Sequence, residues 1–379
     1  MAGVIVHEWL ARHGGSENVV ESMLRAFPDA SLVSLWNDSG ERFGSRDLRE
    51  SWLARTPMRK SKALALPFMP LTWSSMRFGD ADFVLISSHA FAHHADWKNH
   101  SGIPRFVYVH TPARYVWTPD LDDRGSGLTA RALAPLLKTV DRRAARQDAR
   151  YAANSEFVRE RIRSAWDRDA EVIYPPVRVG ELQATGRWAD RLSDAEQDQF
   201  SELPGSFVLG ASRFVPYKRL DAVIEAGEAA GLPVVLAGDG PQRAELEARA
   251  REASVPVFFV IRPSDSMLFA LYQEATVYMF LAVEDFGIMP VEAMALGTPV
   301  VVQRQGGAKE SVFALGGGVV VEHLGASELS AGIEAALSVN MDFVPNRAAD
   351  IFDEATFRSR VASWVSVGSA GRESPNVVR

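Results

Sequence analysis

Glu284 and Glu292 stand eight residues apart, separated by a Phe286-Gly287-Ile288-Met289-Pro290 turn and followed by small and apolar residues, Gly297-Thr298-Pro299 and a β-branched run to Val302. The pattern predicts a loop, a helix N-terminus, a short helix, a glycine stop and a buried strand. Free N–H groups at such a helix start suit oxyanions and sugar hydroxyls. At ~3.6 residues per turn, Glu284 falls in the loop and Glu292 about two turns along, so both carboxylates can face one cleft. Three more sets of residues have chemical potential. Arg213 and Lys218 lie five apart after an apolar strand; from spacing alone they read as solvated loop cations. His110 ends the run Phe106-Val107-Tyr108-Val109, where open α/β sheets bind ligands. His13-Gly14-Gly15-Ser16-Glu17 follows a short strand, a layout that can cradle a phosphate, although it matches neither a Walker loop nor Gly-x-Gly-x-x-Gly and also reads as a plain turn.

The elements that must hold these residues repeat. Strands are expected at Val4–Val6, Ser31–Trp36, Phe83–Ser88, Phe106–Pro112, Tyr151–Ser155 and Glu171–Val177, with helices between. Pro175-Pro176 marks a domain edge. Residues 179–204 are polar and read as a linker. The pattern then restarts with strands at Phe207–Gly210, Val234–Ala237, Val257–Ile261, Thr276–Phe280, Val300–Val302 and Val319–Val321, each followed by a helical stretch. Such strand–helix repeats predict parallel, doubly wound α/β sheets. The expected division is an N-terminal domain over 1–178, a linker over 179–204, a C-terminal domain over 205–350, and a last helix and tail over 351–379 that cross back to the first domain. Arg55–Phe78 has two readings: basic residues beside bulky apolar ones that meet a membrane interface through Arg59–Trp73, or a loop-rich helix pair packed on the core.

Composition sets outer limits. The 379 residues allow two domains, and 47% hydrophobic with 23% charged residues is ordinary for a globular chain. Absence of cysteine excludes disulfides, thiol catalysis and thiolate zinc sites. His89, His93 and His94 cluster without cysteine or paired carboxylates and read as loop histidines rather than a metal site. Asp-x-Asp triplets occur at Asp80/Asp82, Asp120/Asp122 and Asp167/Asp169; with this much aspartate about one or two arise by chance, so they are discounted and no metal is expected. Nor does the start look like a signal peptide, and no apolar run reaches a spanning length, so a cytoplasmic location is expected, at the inner membrane face on the membrane reading. Net charge is −7, split as +4 over residues 1–178 and −11 over the rest; the basic half faces an anionic acceptor or membrane, or is ordinary surface variation. A pI near 5.7 without a basic–aromatic module argues against nucleic acid.

Taken together, several motifs resemble glycosyltransferase family 4, retaining enzymes of the GT-B fold, and within it the GDP-mannose-dependent mannosyltransferases. They are His7-Glu8-Trp9-Leu10 with Gly14-Gly15-Ser16-Glu17, Ile86–Ala92, His110–Tyr115, Asn154–Val158, Ile173–Val177, Ser212–Arg219, Gly238-Asp239-Gly240-Pro241 and Glu284–Val301. The resemblance implies two Rossmann-like domains facing across a cleft. It implies that Arg213 and Lys218 hold the diphosphate of a nucleotide sugar, with Gly14 and Gly15 presenting backbone N–H groups to the same phosphates. Glu284 would bind sugar hydroxyls and steady charge at the anomeric carbon. Asp285 and Met289 flank it, and Phe286, Gly287 and Ile288 would offer N–H groups. Glu292 would take the ribose hydroxyls, and His110 would lie beside the donor sugar. One departure concerns the base: where the family has Gly, a polar residue and Val, this chain has Ile261-Arg262-Pro263, which leaves GDP and UDP open.

The expected reaction is retaining transfer of a hexose, mannose first, from GDP-mannose or else a UDP-hexose, to a hydroxyl of a glycan, lipid-linked or small-molecule acceptor. No cofactor is expected. The alternatives are a sugar-nucleotide epimerase or hydrolase of the same fold, and a non-catalytic sugar-nucleotide-binding subunit.

Overall fold

The computed structural model describes residues 2–44, 47–76, 81–95, 103–118 and 128–370, with side chains throughout except at 128–133 and 368–370. Asp80, Asp120 and Asp122 lie outside the described residues, as do the end of the Arg55–Phe78 segment and the tail beyond 370. The chain divides into two compact units: residues 1–176 with 355–379, and residues 177–354.

In the first unit, β1 (Gly3–His7), β2 (Ser31–Ser34), β3 (Leu48–Glu50), β4 (Phe83–Ser88), β5 (Arg105–Val109), β6 (Arg150–Ala153) and β7 (Glu171–Val172) form one sheet in the order β3-β2-β1-β4-β5-β6-β7, every pair parallel. Alternation along each strand feeds two cores, because successive side chains leave opposite faces. Val4, Val6, Val84, Ile86, Val107 and Val109 pack on one side with Leu53, Met69 and Trp73. On the other, Ile5, Phe83, Leu85, Phe106 and Tyr108 meet Met23, Leu24, Phe357, Val361, Trp364 and Val365. The last four belong to the helix Glu354–Ala370, and their i, i+4, i+7, i+8 spacing is an apolar stripe.

In the second unit, β8 (Val208–Ala211), β9 (Val234–Gly238), β10 (Val257–Ile261), β11 (Val277–Phe280), β12 (Val300–Gln303) and β13 (Gly318–Val321) take the order β10-β9-β8-β11-β12-β13, again all parallel. Both units are Rossmann-like. In each, the winding reverses beside its first strand, between β1 and β4 and between β8 and β11. Such reversal points are where doubly wound sheets bind ligands.

One stretch differs from expectation, and a second follows one of its two readings. Residues 179–204 carry helices Val179–Ala184 and Asp194–Ser201 and a 3-10 turn Trp188–Arg191, and belong to the second unit rather than forming a free linker. Trp188 stacks edge-on against Phe269 with ring centroids 4.8 Å apart, and its backbone N–H donates to Gln273 Oε1 at 2.8 Å. Arg55–Phe78 is broken into short turns and helices as far as Ser75. Within it Met69 and Trp73 are fully buried, and Arg59 is paired with Asp38.

Candidate active site

The reversal of the second sheet brings two distant loops together. The β8 strand runs into Ser212–Val215 and a 3-10 turn, Pro216–Lys218. The β11 strand, beside β8, runs into the loop that ends at helix Ile288–Ala295. Lys218 Nζ donates to Glu284 Oε1 at 2.5 Å, both side chains largely withdrawn from solvent. The ammonium also lies 5.4 Å from the Phe280 ring centroid and 5.3 Å from that of Tyr217. Arg213 is not part of the pair: it is exposed, and its Nη2 donates to the Tyr217 hydroxyl at 3.1 Å.

Glycines set how closely these loops approach their neighbours. Gly238 has φ +143°, and a Cβ there would lie 1.9 Å from the Ser212 carbonyl oxygen. On the far loop, a Cβ on Gly307 would lie 2.1 Å from the Asp285 carbonyl oxygen, and Gly307 N–H donates to Glu284 O at 2.8 Å. Gly287, at φ +90°, caps the helix that Ile288 begins, and Phe286 is buried against Phe352. The Gly306-Gly307 pair lies outside the motifs quoted above, although adjacent glycines before a helix are a visible signal.

Glu292 stands in the second turn of that helix, closer to its start than the spacing implied. Its half-buried carboxylate has no hydrogen-bond partner among the described residues. Burial raises its pKa to about 7, with Arg178 opposing and Asp265 adding to the rise. Burial lifts the Tyr278 phenol well above its ordinary value; Tyr272 opposes the lift, and Glu292 and Glu284 add to it. Its hydroxyl lies 3.1 Å from the Ala211 carbonyl oxygen and 3.8 Å from Met289 Sδ. At the end of β10, Arg262 adopts φ +53° and its largely exposed guanidinium pairs with Asp239 at 2.5 Å, with Pro263 next in the chain.

The first unit's reversal gathers a different set. Ser87 Oγ lies 2.8 Å from His110 Nε2 and 3.0 Å from His7 Nδ1, joining three strand ends. Burial lowers both histidines to about 3, with the Ser87 carbonyl opposing the fall at His7 and His7 itself adding to it at His110. Glu8, fully buried, accepts from the Ala90 and Ala92 N–H groups at 2.8 and 2.6 Å and anchors the loop after β4. Gly14 caps helix Gly15–Ala26, whose first turn already holds the buried Glu17 carboxylate, accepting from Ala11 N at 3.0 Å.

His93 and His94 are not loop histidines. They lie buried in the 3-10 turn Ala92–His94, with their Nε2 atoms 3.2 and 2.9 Å from Asp141 Oδ1. The Trp117 and Trp166 indoles donate to Asp141 Oδ2 at 2.7 and 2.6 Å. These three are the one group among the described residues spaced to hold a metal ion. Their separations are also those of a buried carboxylate hydrogen-bonded by its neighbours; burial would raise Asp141, but the two histidines outweigh it and hold it below the carboxylate range. Of the aspartate triplets, Asp169 is committed to Arg159 and Arg163, and Asp82 to the Ala2 N–H.

Two family models match the chain in succession: Glycosyltransferase Family 4 over residues 13–181, and Glycosyl transferases group 1 over 194–350. An uncharacterized glycosyltransferase of Methanocaldococcus jannaschii is 26% identical over 207 residues, 52% of this chain and 53% of that protein. The 2-deoxystreptamine glucosyltransferase of Streptomyces kanamyceticus is 28% identical over 225 residues, 56% of this chain and 55% of its own length. The chain thus spans about half the length of the curated relatives it matches. Among solved structures, Anabaena HepE in complex with UDP has a TM-score of 0.70 at 17% identity, covering 97% of this chain and all of that one, a likeness of fold. With its two halves matched in order by the two models, the chain belongs to the glycosyltransferases that they describe.

Proposed function

We propose that this chain transfers a hexosyl residue from a nucleoside diphosphate sugar to a hydroxyl of a glycan, lipid-linked or small-molecule acceptor. The reading is carried by the Lys218–Glu284 pair at the reversal of the second sheet. An ammonium has three donors, so Lys218 can keep Glu284 and still serve a phosphate oxygen. On this reading Lys218 and Arg213 stabilise the departing diphosphate, and Glu284 binds the sugar and the positive charge that grows at its anomeric carbon. Glu292 accepts the ribose hydroxyls, for which a carboxylate is suited, since it takes two hydroxyl donors. Gly14, Gly15 and His110 serve the same donor from the first unit. Asp285 to Met289 supply backbone contacts, and Arg262 and Pro263 border the base.

The configuration is retained by same-face substitution, since no second carboxylate is assigned to the sugar's other face, and the leaving phosphate oxygen takes the acceptor proton. Neither a metal nor a cofactor takes part. GDP-mannose is the first donor, on the strength of the motifs. A UDP-hexose is the second reading, favoured by the crystallisation of HepE with UDP and with UDP-glucose. A lipid-linked acceptor is supported by Leu64, Phe68 and Leu71, exposed beside Lys60 and Lys62 in the first unit.

Calorimetric titration with GDP, UDP, GDP-mannose and UDP-glucose, followed by NMR of the product anomer, tests the reading. Expected are binding of one nucleotide family, an α-linked product from an α-linked donor, and undiminished turnover in chelator. An inverted product would overturn retention, manganese-dependent recovery would overturn metal independence, and donor consumption without acceptor would favour an epimerase or hydrolase.

A further inference from the structure

The contacts around Ser87 determine which ring nitrogen of His110 carries its proton. Parallel register places His7 beside Ser87 and Ser87 beside Tyr108. His110 comes two residues after Tyr108, so it returns to the same face. The three side chains therefore meet at the strand ends where the first sheet reverses its winding.

His7 Nδ1 lies 3.0 Å from Ser87 Oγ and 3.3 Å from the Ser87 carbonyl oxygen. A carbonyl oxygen only accepts, so Nδ1 of His7 must carry a proton. The ring is fully buried and uncharged, which leaves Nε2 as a bare lone pair, and that atom indeed has no hydrogen-bond partner among the described residues. Ser87 Oγ then accepts from His7 and has one proton of its own to give. Its remaining contact is His110 Nε2 at 2.8 Å, and no other acceptor faces it among the described residues. A buried hydroxyl proton left without an acceptor is costly, so it goes to His110. With Nε2 accepting, the neutral His110 ring holds its proton on Nδ1.

We infer that Ser87 and His7 are positioning residues that hold His110 in the Nδ1–H tautomer, so that the ring nitrogen not taken by Ser87 meets the donor substrate as an N–H. What that N–H meets rests on the glycosyl-transfer reading: an oxygen of the nucleotide sugar. His110 is thereby a hydrogen-bond donor and not a base. Oxygen-rich ligands such as sugar hydroxyls and phosphates fit it.

The test is 15N NMR of the full chain labelled at histidine, without substrate, with His110 assigned by the signals lost in His110→Gln. The expected pattern is a protonated Nδ1 and an unprotonated Nε2. In Ser87→Ala the pattern moves toward a mixture of tautomers and kcat falls about tenfold with KM within about twofold, the effect of one hydrogen bond. Ser87→Thr keeps the hydroxyl and restores both. A protonated Nε2 in the wild type, or an unchanged pattern in Ser87→Ala, overturns the inference. The wild-type spectrum decides even if Ser87→Ala fails to fold. Should the tautomer be as stated while no sugar is transferred, the functional reading fails and this inference stands.

Discussion

Glu284 and Glu292 share one loop–helix element but not one environment. Glu284 has an ammonium at 2.5 Å; Glu292 has no hydrogen-bond partner among the described residues and is pushed up to about 7 by burial. Replacing each by alanine should therefore do different things. Glu284→Ala should reduce kcat by about 100-fold or more while nucleotide affinity stays within a few-fold, the pattern of a group that acts on developing charge. Glu292→Ala should weaken nucleotide binding about tenfold by titration calorimetry, the loss of a bond or two to hydroxyls. Equal effects from the two would undo their separate roles. Glu292 also makes a pH prediction with a definite sign. Below about pH 4.5 the side chain is protonated in the folded and unfolded chains alike and contributes no difference. As pH rises toward 7 the unfolded chain ionises first, so the wild type loses stability that Glu292→Gln keeps. The variant should match the wild type in unfolding free energy near pH 3.5 and exceed it at pH 8, by about 1–3 kcal/mol after allowing for partial exposure. A gap that does not vary with pH would show that burial of this carboxylate is not what shifts it.

At the scale of elements, the site depends on loops held by backbone contact rather than by side chains. Gly307 has an ordinary φ of no special strain, so Gly307→Ala tests sterics alone: the new Cβ would lie 2.1 Å from the Asp285 carbonyl oxygen. The loop carrying Glu284 must move, and a shift of about 1 Å in a positioning loop is enough to cost on the order of 100-fold in turnover. Circular dichroism should stay native while donor turnover falls. Retained turnover would mean that the loop tolerates displacement. The same elements show what a single sequence can reveal. Strands β1, β4, β5, β8, β9 and β12 were legible because buried parallel strands are written as continuous β-branched and aromatic runs. The stretch 179–204 was not, because its helices bury only isolated residues such as Leu182 and Trp188 in an otherwise polar sequence. The residues proposed for the second-unit site are picked out by motif and spacing. Its central pairing is not, since Lys218 and Glu284 lie 66 residues apart and meet only because β8 and β11 are neighbours. Asp141 was invisible for a similar reason: it lies in a basic helix, and three of its four partners, His94, Trp117 and Trp166, come from residues 24 to 47 positions away.

For the whole molecule, each unit has its own core, and the C-terminal helix belongs to the first although it follows the second in sequence. Val208, Phe214, Val223, Leu236, Met279 and Ile333 form the second unit's core without any residue from that helix. Phe357, Val361, Trp364 and Val365 complete one face of the first unit's sheet, with the Trp364 ring 5.1 Å from Phe106 and the Phe357 ring 5.7 Å from Tyr108. The indole N–H of Trp364 has no hydrogen-bond partner among the described residues, so truncating the side chain removes packing and orphans none of them. Trp364→Ala should then cost about 3–5 kcal/mol, as for other large buried aromatics. That loss falls on the first core alone. Scanning calorimetry of the full chain should show a transition lowered by several degrees and a second one in place. Nucleotide binding is the independent check: the residues that carry most of the proposed donor contacts, Arg213, Lys218, Glu284 and Glu292, all lie in the unit whose core is untouched. If Trp364→Ala shifted both transitions together, the two units would unfold as one, and the helix would stabilise the whole chain rather than the sheet it covers.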